Sequence, residues 1–271
     1  MQAVSAVPVL QRSSGAGRIA VAARDGCTVL RTLYQEGCAK IRLPNAFDRA
    51  VHSVLINTAG GLTGGDTIAW EAAAGPDSRL VLTTQACERI YRSLGDTVHV
   101  STRLTAGAGA HIDWLPQETI LFENSRLDRR IDIDLDATAS LCAVEAILLG
   151  RDAMGEKALH AQLTDNWRIR RGGKLIHAEA TRITGAPERE RENLALLRGA
   201  SAFATVVYIG ADAEAREARL PPAGLGVGVS RSDERLIVRA LAPSGLALRR
   251  LVIPVITVLS GAGSLPRLWS L

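Results

Sequence analysis

Carboxylates that stand alone in otherwise apolar or small-residue stretches are the groups in this chain best placed to do chemistry. Asp66 closes the run Asn57-Thr58-Ala59-Gly60-Gly61-Leu62-Thr63-Gly64-Gly65-Asp66. Glu118 ends Trp114-Leu115-Pro116-Gln117-Glu118, Glu145 sits in Ala143-Val144-Glu145-Ala146-Ile147, and Glu179 in His177-Ala178-Glu179-Ala180. A charge on a buried strand is costly unless it is paired or solvated, so each of these either meets an arginine or lines a wet interior path. An arginine partner is the better expectation for any one of them; four such positions together weaken it. Paired carboxylates also serve acid/base hydrolysis, which depends on a separation the sequence does not give.

Other chemistries find little support. The glycine run lacks the Gly-Lys-Ser/Thr ending of a nucleotide loop and the spacing of a dinucleotide fingerprint opening a helix. Its ten residues alone read as a hairpin turn whose Asp66 bonds its own backbone. Cys27, Cys38, Cys87 and Cys142 contain no Cys-x-x-Cys pair, and Cys87 has no histidine beside it to activate a thiolate. The five histidines form no His-x-His or His-x-x-x-His pair, so no closed metal site is spelled out. No Gly-x-Ser-x-Gly occurs. Arg168, Arg170, Arg171 and Lys174 gather around Gly172-Gly173 with Trp167 as the one aromatic, which reads as a solvated hairpin tip rather than a nucleic-acid surface.

The elements that position these residues are mostly strands. Arg130-Ile131-Asp132-Ile133-Asp134-Leu135-Asp136 alternates strictly between charged and apolar, a half-buried strand with one acidic, wet face. Val51–Ile56, Thr67–Trp70 and Leu80–Thr84 read as strands, as do the alternating stretches around Val98–Leu104 and Ala110–Trp114. So do Leu141–Leu148, Leu159–Leu163, Trp167–Arg170, Lys174–Arg182, Ala204–Tyr208, Gly226–Ser230 and Arg235–Leu241. Helix is expected late: over Asp212–Leu220, and over Pro243–Val258 with Pro254 kinking or ending it. Pro187–Leu197 reads as a helix or an ordered loop. The expected fold is mainly β. It consists of stacked or folded-over antiparallel sheets in a β-helix-like body, with a few helices in the C-terminal third. No repeat of fixed period marks a regular solenoid. One domain over 1–271 is expected, a β-rich body to about 185 and an α+β part from about 186, because no Pro/Ser-rich linker interrupts the chain.

Composition agrees with a globular interior. Of the 271 residues 47% are hydrophobic and 22% charged, while aromatics at 4% leave the core to Leu, Val, Ile and Ala. A net charge of +4 is too small to argue for nucleic acid. The N-terminus lacks the basic region of a signal peptide. The longest near-apolar run, Leu251–Leu259, is far short of the roughly 20 residues that span a bilayer. A cytoplasmic compartment is the default expectation.

Five phrases together resemble one family. The glycine run Asn57–Asp66 looks like the signature of the urease accessory protein family UreD, called UreH in some bacteria. Leu82-Thr83-Thr84-Gln85-Ala86 with Tyr91-Arg92-Ser93 resembles the next family motif. Trp114-Leu115-Pro116-Gln117-Glu118-Thr119-Ile120 matches another, as does Leu149-Gly150-Arg151 through Met154-Gly155-Glu156. The tail Leu265-Pro266-Arg267-Leu268-Trp269, with its exposed-looking tryptophan, is similar as well. The phrases run in order from about residue 50 onward; what precedes them is unassigned.

The resemblance implies a non-catalytic maturation scaffold rather than an enzyme. Its implied partners are urease apoprotein, a UreF-type and a UreG-type accessory protein, with no nucleic acid and no membrane. Nickel would pass transiently, with no permanently bound cofactor. Asp66, Glu145 and Glu179 fall where the family places acidic residues regarded as lining an internal path. Isolated carboxylates and water suit a passing Ni²⁺ better than a Cys/His cage that would hold it. A carboxylate-dependent hydrolase and a generic β-rich interaction module are the alternatives.

Overall fold

A computed structural model describes residues 11–46, 48–151, 154–185, 191–261 and 265–270. The chain winds back and forth between two sheets. Three strands precede the glycine run: β1 (Ser14–Arg24), β2 (Cys27–Gly37) and β3 (Ala39–Arg42). Around and after it come β4 (Val51–Asn57), β5 (Thr67–Ala74), β6 (Arg79–Thr84), β7 (Glu88–Ile90), β8 (Val98–Ala106) and β9 (His111–Leu115). The body continues through β10 (Thr119–Leu121), β11 (Arg126–Leu135), β12 (Ser140–Leu149), β13 (Gln162–Arg171) and β14 (Lys174–Thr184). The end adds β15 (Ala202–Ile209), a short helix Ala213–Glu217, β16 (Val227–Ser232), β17 (Arg235–Ala242) and a long helix Gly245–Leu259.

The first sheet runs in the order β14-β13-β11-β8-β5-β1-β2. The second runs β16-β17-β15-β12-β9-β6-β4-β3, with β7 and β10 attached through β12. Each coil therefore leaves one strand in each sheet: β5 then β6, β8 then β9, β11 then β12. This is a stacked, β-helix-like body with its helices late in the chain. Because successive coils run the same way, the central ladders are parallel, β1-β5-β8-β11-β13 in one sheet and β4-β6-β9-β12 in the other. The expected antiparallel pairing is found at the flanks, in β1-β2, β13-β14, β3-β4 and the β12-β15-β17-β16 end. A hairpin turn joins antiparallel neighbours, whereas a coil returning through the opposite sheet delivers a parallel one.

The main core lies between the sheets, where Ile19, Ile68, Leu104 and Ile131 meet Leu55, Leu82, Ile112 and Leu141. A second core lies on the far side of the second sheet, under the long helix. There Val81, Cys142, Val144, Val206 and Val238 receive Leu248, Val252, Val255, Ile256 and Leu259. The second sheet is thus buried on both faces. β12 accordingly reads as a nearly unbroken apolar run, and β9 buries all five of its residues, His111 and Asp113 included, while β11, wet on one side, alternates.

The long helix starts at Ser244, whose hydroxyl accepts the Ala247 N–H at 3.2 Å. It runs through Pro254 to Leu259 rather than ending there. Arg216 takes up the carbonyls of Val258, Leu259 and Ser260 at its end. The segment Leu159–Leu163 is turn up to Ala161 and joins β13. Part of Pro187–Leu197 lies outside the described residues; the remainder runs mainly as turns. Trp269 is buried, not exposed: it is 1% accessible, its indole N–H donates to Leu115 O at 2.9 Å, and the Arg249 guanidinium lies over its ring.

Candidate functional site in the intersheet seam

Period-two alternation places every second side chain of a strand in the interior, and on most strands of this body those positions are apolar. On β11 the inward residues are Leu127, Arg129, Ile131, Ile133 and Leu135, and on β13 they are Leu163, Asp165, Trp167 and Ile169. Arg129 and Asp165 are therefore polar residues in the apolar phase. They stand opposite each other in the parallel β11-β13 register. Arg129 grips Asp165 with two bonds, Nε to Oδ1 at 3.0 Å and Nη2 to Oδ2 at 2.6 Å. Its Nη1 donates across the interior to Glu145 Oε2 on β12 and reaches Thr119 Oγ1 at 3.3 Å. The other Glu145 oxygen accepts the Trp114 indole N–H at 2.9 Å.

The result is a buried carboxylate–guanidinium–carboxylate triad, with Arg129, Glu145 and Asp165 exposed by only 4%, 6% and 6%. One cation against two carboxylates leaves excess negative charge in a low-dielectric interior. Burial raises the Glu145 carboxyl from 4.5 to about 7; Arg129 opposes the rise and Asp165 adds to it. For Arg129 burial favours the neutral form, but the two carboxylates more than reverse it, so the guanidinium stays charged. Beside the triad a small cavity of about 50 Å³ is bounded by Glu88, Trp114, Thr119, Arg129 and Glu145, room for a few water molecules. Burial also lifts Glu88 from 4.5 to about 7, against a hydrogen bond from Asn57 Nδ2 at 3.0 Å.

Glu179 belongs to the same seam. It points inward from β14, where its oxygens accept from Thr205 Oγ1 at 3.2 Å and from Arg239 Nη2 at 2.6 Å. Thr205 stands opposite Glu145 in the β12-β15 ladder and opposite Arg239 in the β15-β17 ladder. Glu145 and Glu179 are therefore on either side of one threonine. Beyond them a groove of about 410 Å³ opens, bordered by Glu179, Thr205, Arg239, Phe203 and Leu197. His177 lies beside Glu179 with Nε2 3.6 Å from Oε2, and burial lowers its pKa.

Asp66 is elsewhere. Its Oδ2 accepts the Thr63 N–H at 2.7 Å and its Oδ1 the Ser13 N–H at 2.8 Å, so it closes its own turn and ties that turn to the chain entering β1. The glycines serve the same turn. Gly60, Gly61 and Gly65 have φ of +75°, +148° and +90°, and a Cβ on Gly64 would lie 2.4 Å from Asp96 O. Glu118 meets the expected arginine: Arg249 Nε donates to it at 2.7 Å. Cys87 Sγ also leans on Glu118 at 3.3 Å, and burial pushes that thiol up to about 12, the opposite of thiolate activation. Glu145 and Asp165 share one guanidinium instead of flanking an open cleft, which is not the arrangement of acid/base hydrolysis. Among the described residues no group of three or more His, Cys, Asp or Glu side chains is arranged to hold a metal ion.

Arg129, Asp165 and Glu88 were missed as site residues by sequence reasoning. The signal for Arg129 and Asp165 was present: each is a charge in the apolar phase of an alternating strand. Glu88, on a three-residue strand, left no such trace.

Comparison with known proteins bears on this architecture as a whole. A protein from Chelativorans sp. (strain BNC1), named urease accessory protein UreD, is 59% identical over 97% of this chain and 95% of its own length. Proteins of the same name from Rhizobium rhizogenes and Rhizobium etli are 50% and 49% identical, each over 96% of both chains. A family model described as UreD urease accessory protein matches residues 13–270, which takes in β1 to β3 as well as the seam, and the chain therefore belongs to the UreD urease accessory protein family.

Proposed function

We propose that this chain is a non-catalytic scaffold of urease maturation. It binds urease apoprotein together with UreF-type and UreG-type accessory proteins in the cytoplasm, and nickel passes through it transiently on the way to the urease active site. Among the described residues no helix is long and apolar enough to cross a membrane. The carrying observation is the polar seam inside an otherwise apolar body. Glu145 and Glu179 stand on either side of Thr205, between an interior cavity and an open groove. A carboxyl near 7 exchanges a proton for a cation at neutral pH, and carboxylate oxygens with water release Ni²⁺ more readily than thiolates or imidazoles do. Asp66, with both oxygens engaged by backbone N–H groups, enters the proposal as the residue that shapes the turn rather than as a ligand.

The test is urease activation with Glu145→Gln, Glu179→Gln and the double variant, followed by isolation of the accessory complex and metal analysis of the urease. The expected result is a complex of unchanged composition and urease nickel reduced by half or more, lowest with the double variant. Normal nickel loading overturns the passage role. Loss of the complex at normal stability of the chain overturns it too, in favour of a purely structural one.

A further inference from the structure

The basic tip Arg171-Gly172-Gly173-Lys174 has no part in the maturation role proposed above, and it does not project freely into solvent. Gly172 and Gly173, with φ of +54° and +78°, turn β13 tightly into β14. This tip packs on the turn between β16 and β17 at the edge of the second sheet. Arg171 Nη1 donates to Glu234 Oε2, and Arg235 Nη1 donates to Ile176 O. Between the two turns lies an open cleft of about 470 Å³, with Leu175, Ile176 and Ile209 along it, within the range of small-molecule sites.

The donors at this cleft are incompletely used. Arg171 Nε and Arg235 Nε are both buried and find no hydrogen-bond acceptor among the described residues. A buried guanidinium N–H without an acceptor is destabilising, and two at one cleft form a donor set. The side chain of Lys174, exposed at the rim, makes no ion pair or hydrogen bond among the described residues. Three cations against Asp233 and Glu234 leave a net positive charge at the cleft. Three cationic groups, two on the β13-β14 tip and one at the start of β17, suit an oxyanion with three or four acceptor oxygens better than a planar carboxylate with two.

We propose that this cleft binds a phosphate-class oxyanion, contacted by the Nε–H groups of Arg171 and Arg235 and attracted by Lys174, with Glu234 orienting the Arg171 fork. The experiment follows the arginine Nε–H resonances of the full chain by NMR during titration with inorganic phosphate at constant ionic strength. Acetate and chloride serve as the comparison anions. Two resonances, assigned by their loss in Arg171→Lys and Arg235→Lys, are expected to move and saturate with phosphate. Phosphate affinity should fall at least tenfold in Arg235→Lys and about threefold in Lys174→Gln. The latter changes an exposed side chain and should leave the thermal midpoint unchanged, so it decides the matter if the arginine variants do not fold. Non-saturating shifts, equal binding of acetate or chloride, or unchanged phosphate affinity in Lys174→Gln overturn the proposal.

Discussion

Replacing Glu145 by Gln isolates the electrostatics of the triad with little change of shape. In the folded chain the Glu145 carboxyl titrates at about 7 rather than 4.5, chiefly because it is buried. A folded-state pKa raised above the unfolded value means the native state holds its proton more tightly. The associated stability is fully present below about pH 4.5 and is lost as pH rises through about 7. At 1.36 kcal/mol per unit, this comes to about 3 kcal/mol. Glutamine stays neutral at every pH and keeps an oxygen for the Trp114 indole or for Arg129, which retains Asp165 as its charged partner. The variant should therefore match or fall slightly below the parent chain near pH 4.5, and gain on it by about 3 kcal/mol between pH 4.5 and pH 8. Equilibrium urea denaturation of both chains across that interval measures the difference directly, and contributions of untouched groups such as Glu88 cancel in it. Parallel pH profiles would refute the reasoning, because they would show that Arg129 fully compensates the burial of Glu145.

Three further outcomes follow from packing. A Cβ on Gly17 would lie 2.3 Å from the Trp70 ring, so Gly17→Ala should destabilise the chain by about 1–3 kcal/mol in the same denaturation assay. Gly65, at φ +90° beside the Arg12 side chain, should lose about 1–3 kcal/mol on change to Val, and an unchanged midpoint would show that the turn relaxes around it. Trp269→Ala empties a site closed by the long helix and should cost about 3–5 kcal/mol, read as a fall in thermal midpoint.

Sequence alone determined the elements whose information is local. Alternation marked β11, strand-like stretches marked β12 and β15, and Pro243–Val258 read as the long helix. It also determined that the chain carries isolated carboxylates and no spelled-out metal cage. β1 escaped because its strand is written in Gly and Ala, residues of low β-propensity. Gly17 is small because Trp70 of the neighbouring coil lies over it, a long-range reason no local pattern contains. The direction of the ladders was likewise not local: period two is identical in parallel and antiparallel sheets, and only the return of the chain through the opposite sheet makes the central ones parallel. Tertiary structure also decided which carboxylates share a site. Asp66 could be read as a turn residue from its own loop, and it is one. Glu145 and Glu179, 34 positions apart in the chain, come to flank Thr205, and Glu145 acquires its charge partners from β11 and β13. Burial, not residue type, sets the protonation of that seam. Burial at Glu145 exists only once two sheets have closed over it.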